Sequence, residues 1–185
     1  HLAKELAAFT EFYVNDAFGT AHRAHSSTTG ITQYIHEGVS AGYLMVEEVR
    51  GLSRVLNAKR SELLAVIGGA KVSDKLTILR SLILRANTIL IGGAMAYTFL
   101  AAQGREVGAS RVETDQLDTA RQLIQLAHEK KVTLLLPTDH IAALNFDQNA
   151  DPVDIDRQDI PDGLMALDIG PKTIKAFEQA IAKAD

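Results

Sequence analysis

The sequence contains no cysteine, which excludes disulfide bonds and thiolate metal sites. It also has no apolar run of the length that a membrane-spanning helix needs, and no secretory signal is visible. These absences favour a cytosolic location without a membrane partner. The basic excess of a general nucleic-acid-binding protein is missing as well, because the net charge is −4. We therefore expect any anion site to be a local basic patch on an acidic protein.

What is present is the composition of a globular protein. The 185 residues are 46% hydrophobic and 23% charged, enough for one core of ordinary size. The chain begins with His1 rather than methionine, and an apolar helical stripe starts at once without a capping residue before it. This beginning predicts an excerpt of a longer protein.

One stretch organises the rest of the chain. Residues 63–67 are all apolar and predict a fully buried strand, which ends at the pair Gly68-Gly69. A helical pattern follows from about Ser73, and its start carries Lys71 and Lys75, four residues apart. Free backbone N–H groups at a helix start, together with two ammonium groups, favour an anion. An ordinary turn with two solvated lysines is an equally good interpretation of this stretch alone.

Strand and helix patterns then alternate to the end of the chain, which predicts an α/β fold: a three-layer αβα, Rossmann-like parallel sheet with helices outside. Ligands of such sheets bind beyond the carboxyl ends of the strands, where the glycine turns at 68–69, 92–93 and 170 are expected. Residues 145–162 are polar and acidic and predict a loop or weak edge strands. The pattern predicts helices at about 73–86, 95–103 and 114–130 and from 170 onward, and strands at 88–91, 132–136 and 165–168.

A second basic cluster lies near the start of the chain. A strand pattern at Phe12–Val14 is followed by a turn that holds His22, Arg23 and His25. Arginine is the side chain best shaped for bidentate binding of phosphate or carboxylate. The His-x-x-His spacing could also hold a metal, although no third ligand is apparent nearby. A solvated turn without a ligand is the remaining interpretation.

Residues 40–58 predict one long helix from their 3.6-residue apolar period, with Asn57 near its end. Period alone does not distinguish a helix that connects two lobes from an ordinary core helix.

Several of these stretches resemble the phosphoglycerate kinase family. The chain reads Val-Asn-Asp-Ala-Phe-Gly-Thr-Ala-His-Arg-Ala-His from Val14, Gly-Gly-Ala-Lys-Val-Ser-Asp-Lys from Gly68, and Leu-Asp-Ile-Gly-Pro-Lys-Thr from Leu167. The segments Ile-Gly-Gly-Ala-Met-Ala-Tyr-Thr-Phe-Leu and Leu-Leu-Leu-Pro-Thr-Asp also match, in family order. The resemblance runs over essentially all 185 residues.

The resemblance implies a two-lobed parent of which both lobes are incomplete here. Residues 1–39 would be the end of an N-terminal substrate domain, 40–58 the interdomain helix and 59–185 the first part of a nucleotide-binding domain. The intact enzyme would be a glycolytic transferase and a monomer in the cytoplasm. It would move a phosphoryl group from 1,3-bisphosphoglycerate to ADP, giving 3-phosphoglycerate and ATP.

Site residues follow from the same resemblance. Lys75 and Arg23 would be catalytic, and His22 and His25 would join Arg23 in binding the phosphoglycerate. Asn15 and Asp16 are expected to be structural. The nucleotide would contact Gly69, Ala70, Lys71, Lys75, Gly93, Ala94 and Leu167.

The cofactor would be Mg²⁺ bound with ADP or ATP. The family's metal-binding Asp is expected downstream of this chain, so no metal ligand is predicted within it. Because phosphoryl transfer depends on positioning and charge neutralisation, we expect the chain alone to be inactive.

Some positions depart from the family pattern. Ala94 and Ala166 stand where glycine is usual, Arg111 replaces a leucine, and Leu164 replaces a tryptophan. The first three would crowd or polarise the adenine pocket. We therefore expect an altered nucleotide affinity or preference.

Two alternatives belong to other functional classes. A dinucleotide-binding oxidoreductase needs Gly-x-Gly-x-x-Gly and an acid after the second strand, and neither is present; nor is a Walker A motif. A non-catalytic nucleotide-binding or interaction module of the same fold would suit the changes at Ala94, Arg111 and Ala166. The presence or loss of the downstream metal Asp would separate this module from the enzyme.

Overall fold

The computed structural model describes residues 1–184, which form two compact units. The first unit is His1–Ala58, and the second begins at Lys59. No helix among the described residues is both long and apolar enough to cross a lipid bilayer.

The first unit contains a small parallel sheet and two helices. Helix α1 is Leu2–Ala7, strands β1 and β2 are Phe12–Asn15 and Gly38–Ala41, and helix α2 is Tyr43–Asn57. Strands β1 and β2 pair in parallel. A small cluster of Ala7, Ile31 and Ile35 forms the core of this unit.

The predicted helix over residues 40–58 is wrong at its start, because α2 begins at Tyr43. Ser40 and Ala41 instead continue the ladder with β1, and the N–H of Gly42 still donates to the carbonyl of Asn15 at 2.8 Å. The apolar period does not locate the boundary between strand and helix, since Ala41 fits either a strand or the first helical turn. None of the residues in α2 is buried in the described part of the chain, so the helix is not part of a core formed by these residues.

The second unit is built on a parallel sheet. Strands β3, β4 and β5 are Leu64–Ile67, Thr88–Ile91 and Thr133–Leu135, in that spatial order. Helices α3, α4 and α5 are Leu76–Arg85, Met95–Ala102 and Leu117–Glu129. Their apolar faces and one face of the sheet share a core that includes Val72, Leu79, Ile83, Ile89, Ile91, Met95, Phe99 and Leu123.

A further helix, α6 at Pro171–Ile181, faces the opposite side of the sheet. A cavity of about 390 Å³ separates them, lined by the starts of β3, β4 and β5 and by Ala176, Gln179 and Ala180 of α6. The chain therefore has helices on both sides of a parallel sheet, which confirms the predicted α/β, Rossmann-like layering.

The prediction of a fully buried strand at residues 63–67 is wrong. Strand β3 lies at the edge of its sheet among the described residues, and the side chain of Val66 is 66% exposed. An unbroken apolar run looks the same in sequence whether or not a neighbouring strand covers it.

The last part of the chain forms a second, antiparallel sheet. Strands β6, β7 and β8 are His140–Ala143, Val153–Ile155 and Met165–Ile169, and β6 lies between the other two. The sequence did not predict β6, and its placement of residues 165–168 and of the Gly170 turn in the parallel sheet is wrong. Only residues 136–139 separate β5 from β6, far fewer than the dozen or more that a parallel crossover needs, so β6 does not extend the parallel sheet. Residues 165–169 then pair with β6 in the antiparallel sheet.

Candidate functional site

Two glycine turns meet at the carboxyl ends of β3 and β4. Gly93 has a φ of 66°, and a Cβ added there would lie 2.9 Å from the nitrogen of Gly69. The N–H of Met95 donates to the carbonyl of Gly69 at 2.9 Å. Glycine is therefore required at position 93, both for its backbone conformation and for this close approach.

The two predicted lysines lie just after the first glycine turn. Lys71 is exposed in the loop, while Lys75 is half-buried at the end of a single 3₁₀ turn, Ser73–Lys75, that leads into α3. Since the helix begins only at Leu76, both lysines precede it, and the predicted helix start at Ser73 is a 3₁₀ turn instead. The aliphatic part of Lys75 passes close to Gly69, because a Cβ added to Gly69 would lie 3.7 Å from its Cε.

Neither ammonium group forms an ion pair with any of residues 1–184. Two cations without an ion-pair partner among the described residues therefore lie near the glycine turns, Lys75 by its contact with Gly69 and Lys71 by its place in the same loop, on a protein whose net charge is negative.

Glu113 holds this loop in place, although no sequence pattern indicates it. Its carboxylate accepts hydrogen bonds from the N–H groups of Val72 (2.5 Å) and Ser73 (3.2 Å) and from the Ser73 hydroxyl (2.6 Å). Burial raises the pKa of Glu113, but the hydrogen bonds from Ser73 and Val72 outweigh it and leave the pKa lower than its ordinary value. A carboxylate 41 residues away from Val72 in sequence thus caps the turn before α3, which lies between Lys71 and the helix.

An apolar cavity of about 540 Å³ adjoins the glycine turns. Three predicted nucleotide-binding residues, Ala70, Ala94 and Leu167, line it together. Ala70 directly follows the first glycine pair and Ala94 the second, whereas Leu167 comes from the antiparallel sheet. The other lining residues are Tyr97, Arg111, Phe146, Met165 and Ala166.

Arg111 and Ala166, singled out as departures from the family pattern, therefore do lie at this cavity. Tyr97, Phe146 and Met165 were not predicted. The two-residue alternation of a strand does not indicate Met165, because the pairing of β6 with β8 skips Leu167 and so breaks the alternation there. No pattern indicates Phe146, which sits in a polar loop and is 87% exposed.

Behind the cavity, the ring of Tyr97 packs against a buried histidine. Tyr97 and His140 have ring centroids 5.6 Å apart, and both residues are nearly inaccessible to solvent. Burial, followed by the negative charge of Asp168, raises the pKa of Tyr97 to about 12. The hydroxyl of Tyr97 therefore stays protonated at neutral pH.

His140 is held in its neutral form. Its Nε2 lies 3.1 Å from the carbonyl oxygen of Gln158 and must carry the hydrogen, since a carbonyl only accepts. Its Nδ1 has no partner among the described residues. Burial lowers the pKa of His140, although the Gln158 carbonyl and the charge of Asp139 oppose that effect.

The turn at Gly170 is structural rather than part of the cavity edge. The carboxylate of Asp139 accepts from the N–H groups of Lys172 and Thr173, each at 2.7 Å, and so caps α6. Burial raises the pKa of Asp139, but the hydrogen bonds from Thr173 and Lys172 lower it by more. A Cβ added to Gly170 would lie 2.4 Å from Cγ of Asp139, so this helix start has no room for another anion.

The basic cluster of the first unit lies in the exposed connection between β1 and β2. The side chains of His22, Arg23 and His25 are all exposed, and nothing among residues 1–184 pairs with the guanidinium group. Buried Thr28 shapes this loop: its hydroxyl donates to the Arg23 carbonyl at 2.6 Å and accepts from the His25 N–H at 3.0 Å. The loop therefore presents three basic side chains from a backbone that internal hydrogen bonds define.

Asn15 and Asp16 have structural roles, as predicted. An Asp16 carboxylate oxygen accepts from the N–H of Met45 at 2.9 Å, which caps α2, and the Asn15 side chain accepts from the N–H of Ala17 at 3.0 Å. Within residues 1–184, no three His, Asp or Glu side chains come close enough to hold a metal ion.

Comparison with known proteins connects these features to one family. The family model for phosphoglycerate kinase matches residues 1–185. The phosphoglycerate kinase of Anaeromyxobacter sp. (strain K) is 50% identical over 182 residues, which are 98% of this chain and 46% of that protein. The cytosolic phosphoglycerate kinase of Leishmania mexicana is 49% identical over 98% of this chain and 43% of its own length. The chain thus spans about half the length of the curated relatives that it matches.

Solved structures agree with this result. The phosphoglycerate kinase of Coxiella burnetii superposes on 98% of the chain with a TM-score of 0.87 at 38% identity, and the match covers 46% of that protein. The enzyme of Pyrococcus horikoshii OT3 gives a TM-score of 0.79 at 28% identity, over 97% of this chain and 45% of its own. The chain therefore belongs to the phosphoglycerate kinase family.

Proposed function

We propose that the second unit of this chain binds ADP or ATP. The observation that carries this proposal is the meeting of three elements: the glycine turns after β3 and β4, the unpaired Lys71 and Lys75, and the apolar cavity beside them. The base would lie in the cavity against Ala70, Ala94 and Leu167. The phosphates would lie at the glycine turns, where Gly69 and Gly93 permit a close backbone approach.

In this proposal Lys75, rather than Lys71, contacts the phosphoryl group that is transferred. Its stem is half-buried along Gly69, so less side-chain entropy remains to be lost when its ammonium group contacts a phosphate. It would neutralise charge on the phosphoryl group during transfer, while exposed Lys71 would contact the nucleotide phosphates. Phosphoryl transfer depends mainly on this kind of positioning and charge neutralisation.

We further propose that the first unit holds the phosphoglycerate. Exposed Arg23 offers a planar, bidentate donor set to a carboxylate or phosphate, and His22 and His25 add donors on the same loop. The intact protein would transfer a phosphoryl group from 1,3-bisphosphoglycerate to ADP and form 3-phosphoglycerate and ATP. The divisions 1–39, 40–58 and 59–185 belong to the same proposal, as do a monomeric state and the absence of a nucleic-acid partner.

The nucleotide would carry Mg²⁺, and no group of three or more His, Asp or Glu side chains lies close together among the described residues. The prediction that the metal-binding Asp lies outside this chain stands untested. The cellular compartment also stays a prediction, because Leishmania mexicana has both a cytosolic and a glycosomal relative.

Nucleotide binding is tested by titrating ADP into the 185-residue chain and into Lys75→Met and Lys59→Met variants. Loss of one charge-assisted contact predicts about tenfold weaker binding for Lys75→Met. Lys59 is exposed and lies before β3, so its removal matches the change in charge without touching the cavity. Equal affinities of the two variants, or no binding by the unaltered chain, would contradict the proposal.

A coupled assay tests the reaction. We expect the 185-residue chain alone to show negligible turnover, because it spans about half the length of its relatives and the family's metal-binding Asp is expected outside it. Turnover close to that of a full-length relative would contradict this expectation.

A further inference from the structure

The cavity beside the glycine turns has one charged wall residue. Arg111 is exposed, and its guanidinium group forms no ion pair with any of residues 1–184. Of the eight described residues that line the cavity, the seven others are Ala, Leu, Met, Phe or Tyr, and among these seven only Tyr97 has a polar side-chain group. Among the lining side chains, Arg111 is therefore the main source of directional contacts to a ligand in this cavity.

The backbone on both sides of Arg111 is anchored. Before it, the Ser110 hydroxyl accepts from the N–H of Ala166 at 3.1 Å, and the N–H of Ala109 donates to the carbonyl of Leu164 at 2.8 Å. After it, Glu113 caps the loop that carries the lysines. Arg111 thus stands on a short segment that is attached to the strand β8 at one end and to the loop before α3 at the other.

A guanidinium group has five donors and no acceptor. The edge of a purine that carries N7 and the C6 substituent differs between bases. Guanine and hypoxanthine present two acceptors there, N7 and O6, whereas adenine presents one acceptor and the donating N6 amino group. Arginine can therefore bind the first edge in a bidentate manner but meets a donor on the second.

We propose that Arg111 selects a 6-oxopurine nucleoside diphosphate, such as GDP or IDP, over ADP. This inference rests on the proposed binding of a nucleotide at this site and names the base. The apolar walls formed by Ala94, Ala166 and Leu167 accept either purine by contact with its faces. These contacts contribute affinity without distinguishing the bases, so the discrimination between a 6-oxopurine and adenine depends on the guanidinium group.

The test measures dissociation constants of ADP, GDP, IDP and 7-deaza-GDP for the 185-residue chain by calorimetry. We expect GDP and IDP to bind about tenfold more tightly than ADP, within the range of discrimination typical of a bidentate arginine–base contact. We expect 7-deaza-GDP to bind more weakly than GDP, because it lacks the N7 acceptor.

Variants assign the preference to its residue. Arg111→Leu should reduce the ratio of the ADP and GDP dissociation constants to about one, mainly by weakening GDP. Arg80→Leu removes an exposed arginine from α3, away from the cavity, and should leave the ratio unchanged. Circular dichroism confirms that each variant is folded before its titration counts.

The outcomes separate the two proposals. Equal affinity of the unaltered chain for ADP and GDP, or an Arg111→Leu variant that keeps the ratio, would overturn the base selectivity and leave nucleotide binding standing. Equal weakening of both nucleotides by Arg111→Leu would also overturn it, because it would assign Arg111 to the phosphates. Failure of every nucleotide to bind would overturn the proposed function and this inference with it.

Discussion

At the scale of single residues, Glu113 determines the shape of the candidate site without lining its cavity. It accepts three hydrogen bonds from the loop before α3, so the position of Lys75 depends on a side chain from another part of the chain. A lone Glu in a polar stretch carries no sequence pattern that indicates this role.

Replacing Glu113 by Gln keeps its shape but removes its charge and one acceptor oxygen. Hydrogen bonds to a charged group contribute about 1.5–3 kcal/mol, so we expect the free energy of unfolding to fall by about that amount at pH 7. Because the folded state lowers the pKa of Glu113, this contribution is complete above the ordinary value of 4.5 and is lost as the pH falls through the folded value. Urea unfolding at neutral and acidic pH measures both effects.

The control is Glu106→Gln, since the side chain of Glu106 is exposed and makes no hydrogen bond within residues 1–184. A difference of less than about 0.5 kcal/mol between the two variants at pH 7 would contradict the role of Glu113.

His140 makes stability depend on pH in a different range. Its lowered pKa means that the unfolded chain takes up a proton below the ordinary value of 6.5 while the folded chain does not. Stability should therefore decrease as the pH falls from about 7 toward the folded pKa. A His140→Gln variant should show a smaller decrease than the unaltered chain in thermal unfolding.

His128 provides the comparison, because it is exposed near the end of α5. His128→Gln should keep the pH dependence of the unaltered chain. If both variants flatten the pH profile equally, the effect does not come from burial of His140.

At the scale of elements, three helix starts share one arrangement. Asp16 caps α2, Asp139 caps α6 and Glu113 caps the turn before α3, each from a segment distant in sequence. At two of them a glycine precedes the helix, and a Cβ there would overlap the capping carboxylate. The starts of α2 and α6 thus each depend on a glycine and a distant carboxylate, and the sequence of the helix itself does not indicate this pairing.

Alanine substitutions at two glycines of the first unit test this arrangement, because they should change the free energy of unfolding in opposite directions. A Cβ on Gly42 would lie 2.2 Å from Cγ of Asp16, whereas a Cβ on Gly51 inside α2 would meet nothing within 4 Å. We expect Gly42→Ala to lower the free energy of unfolding by about 1–3 kcal/mol. We expect Gly51→Ala to raise it by up to about 1 kcal/mol through helix propensity.

Urea unfolding of the two variants side by side measures both effects. An Ala at position 42 that is tolerated as well as one at position 51 would contradict the capping arrangement.

These cases show why the sequence predicted some elements and missed others. The apolar period placed α5 within a few residues because this helix buries one regular face, and the short apolar run placed β4 because that strand is buried on both faces between β3 and β5. It missed β6, which forms after a short connection from β5, and it misjudged β3, whose neighbours are not encoded in its own residues. The family resemblance predicted that Ala70, Ala94 and Leu167 share a site, and these three residues line the same cavity. Glu113 and Phe146 could not be predicted in this way, because their positions near the site follow only from the folded structure.

At the scale of the whole molecule, the chain leaves much apolar surface in water. Both strands of the first unit belong to a two-stranded sheet, so each has an outer edge without a partner among the described residues. The side chains of Phe12 and Val14 on β1 are 62% and 61% exposed. Unpaired strand edges with apolar side chains favour pairing between molecules.

We expect the 185-residue chain to self-associate as its concentration rises, and a Val14→Lys variant to associate less, because a charge opposes strand pairing. Val49→Lys adds the same charge on exposed α2 and should have a smaller effect, since a helix offers no unpaired edge. Light scattering over a concentration series measures the difference. A chain that stays monomeric throughout, or equal effects of both variants, would contradict the prediction.

The contact between the turns of Gly69 and Gly93 has a consequence for engineering. It joins main chain to main chain, so no rotamer change can absorb a movement of either turn. A directed-evolution library that varies Arg111 or Met165 could therefore retune which ligand is accepted while the underlying frame keeps its geometry. Insertions or bulky residues at the two glycines would instead alter both turns at once, which makes them poor positions for randomisation.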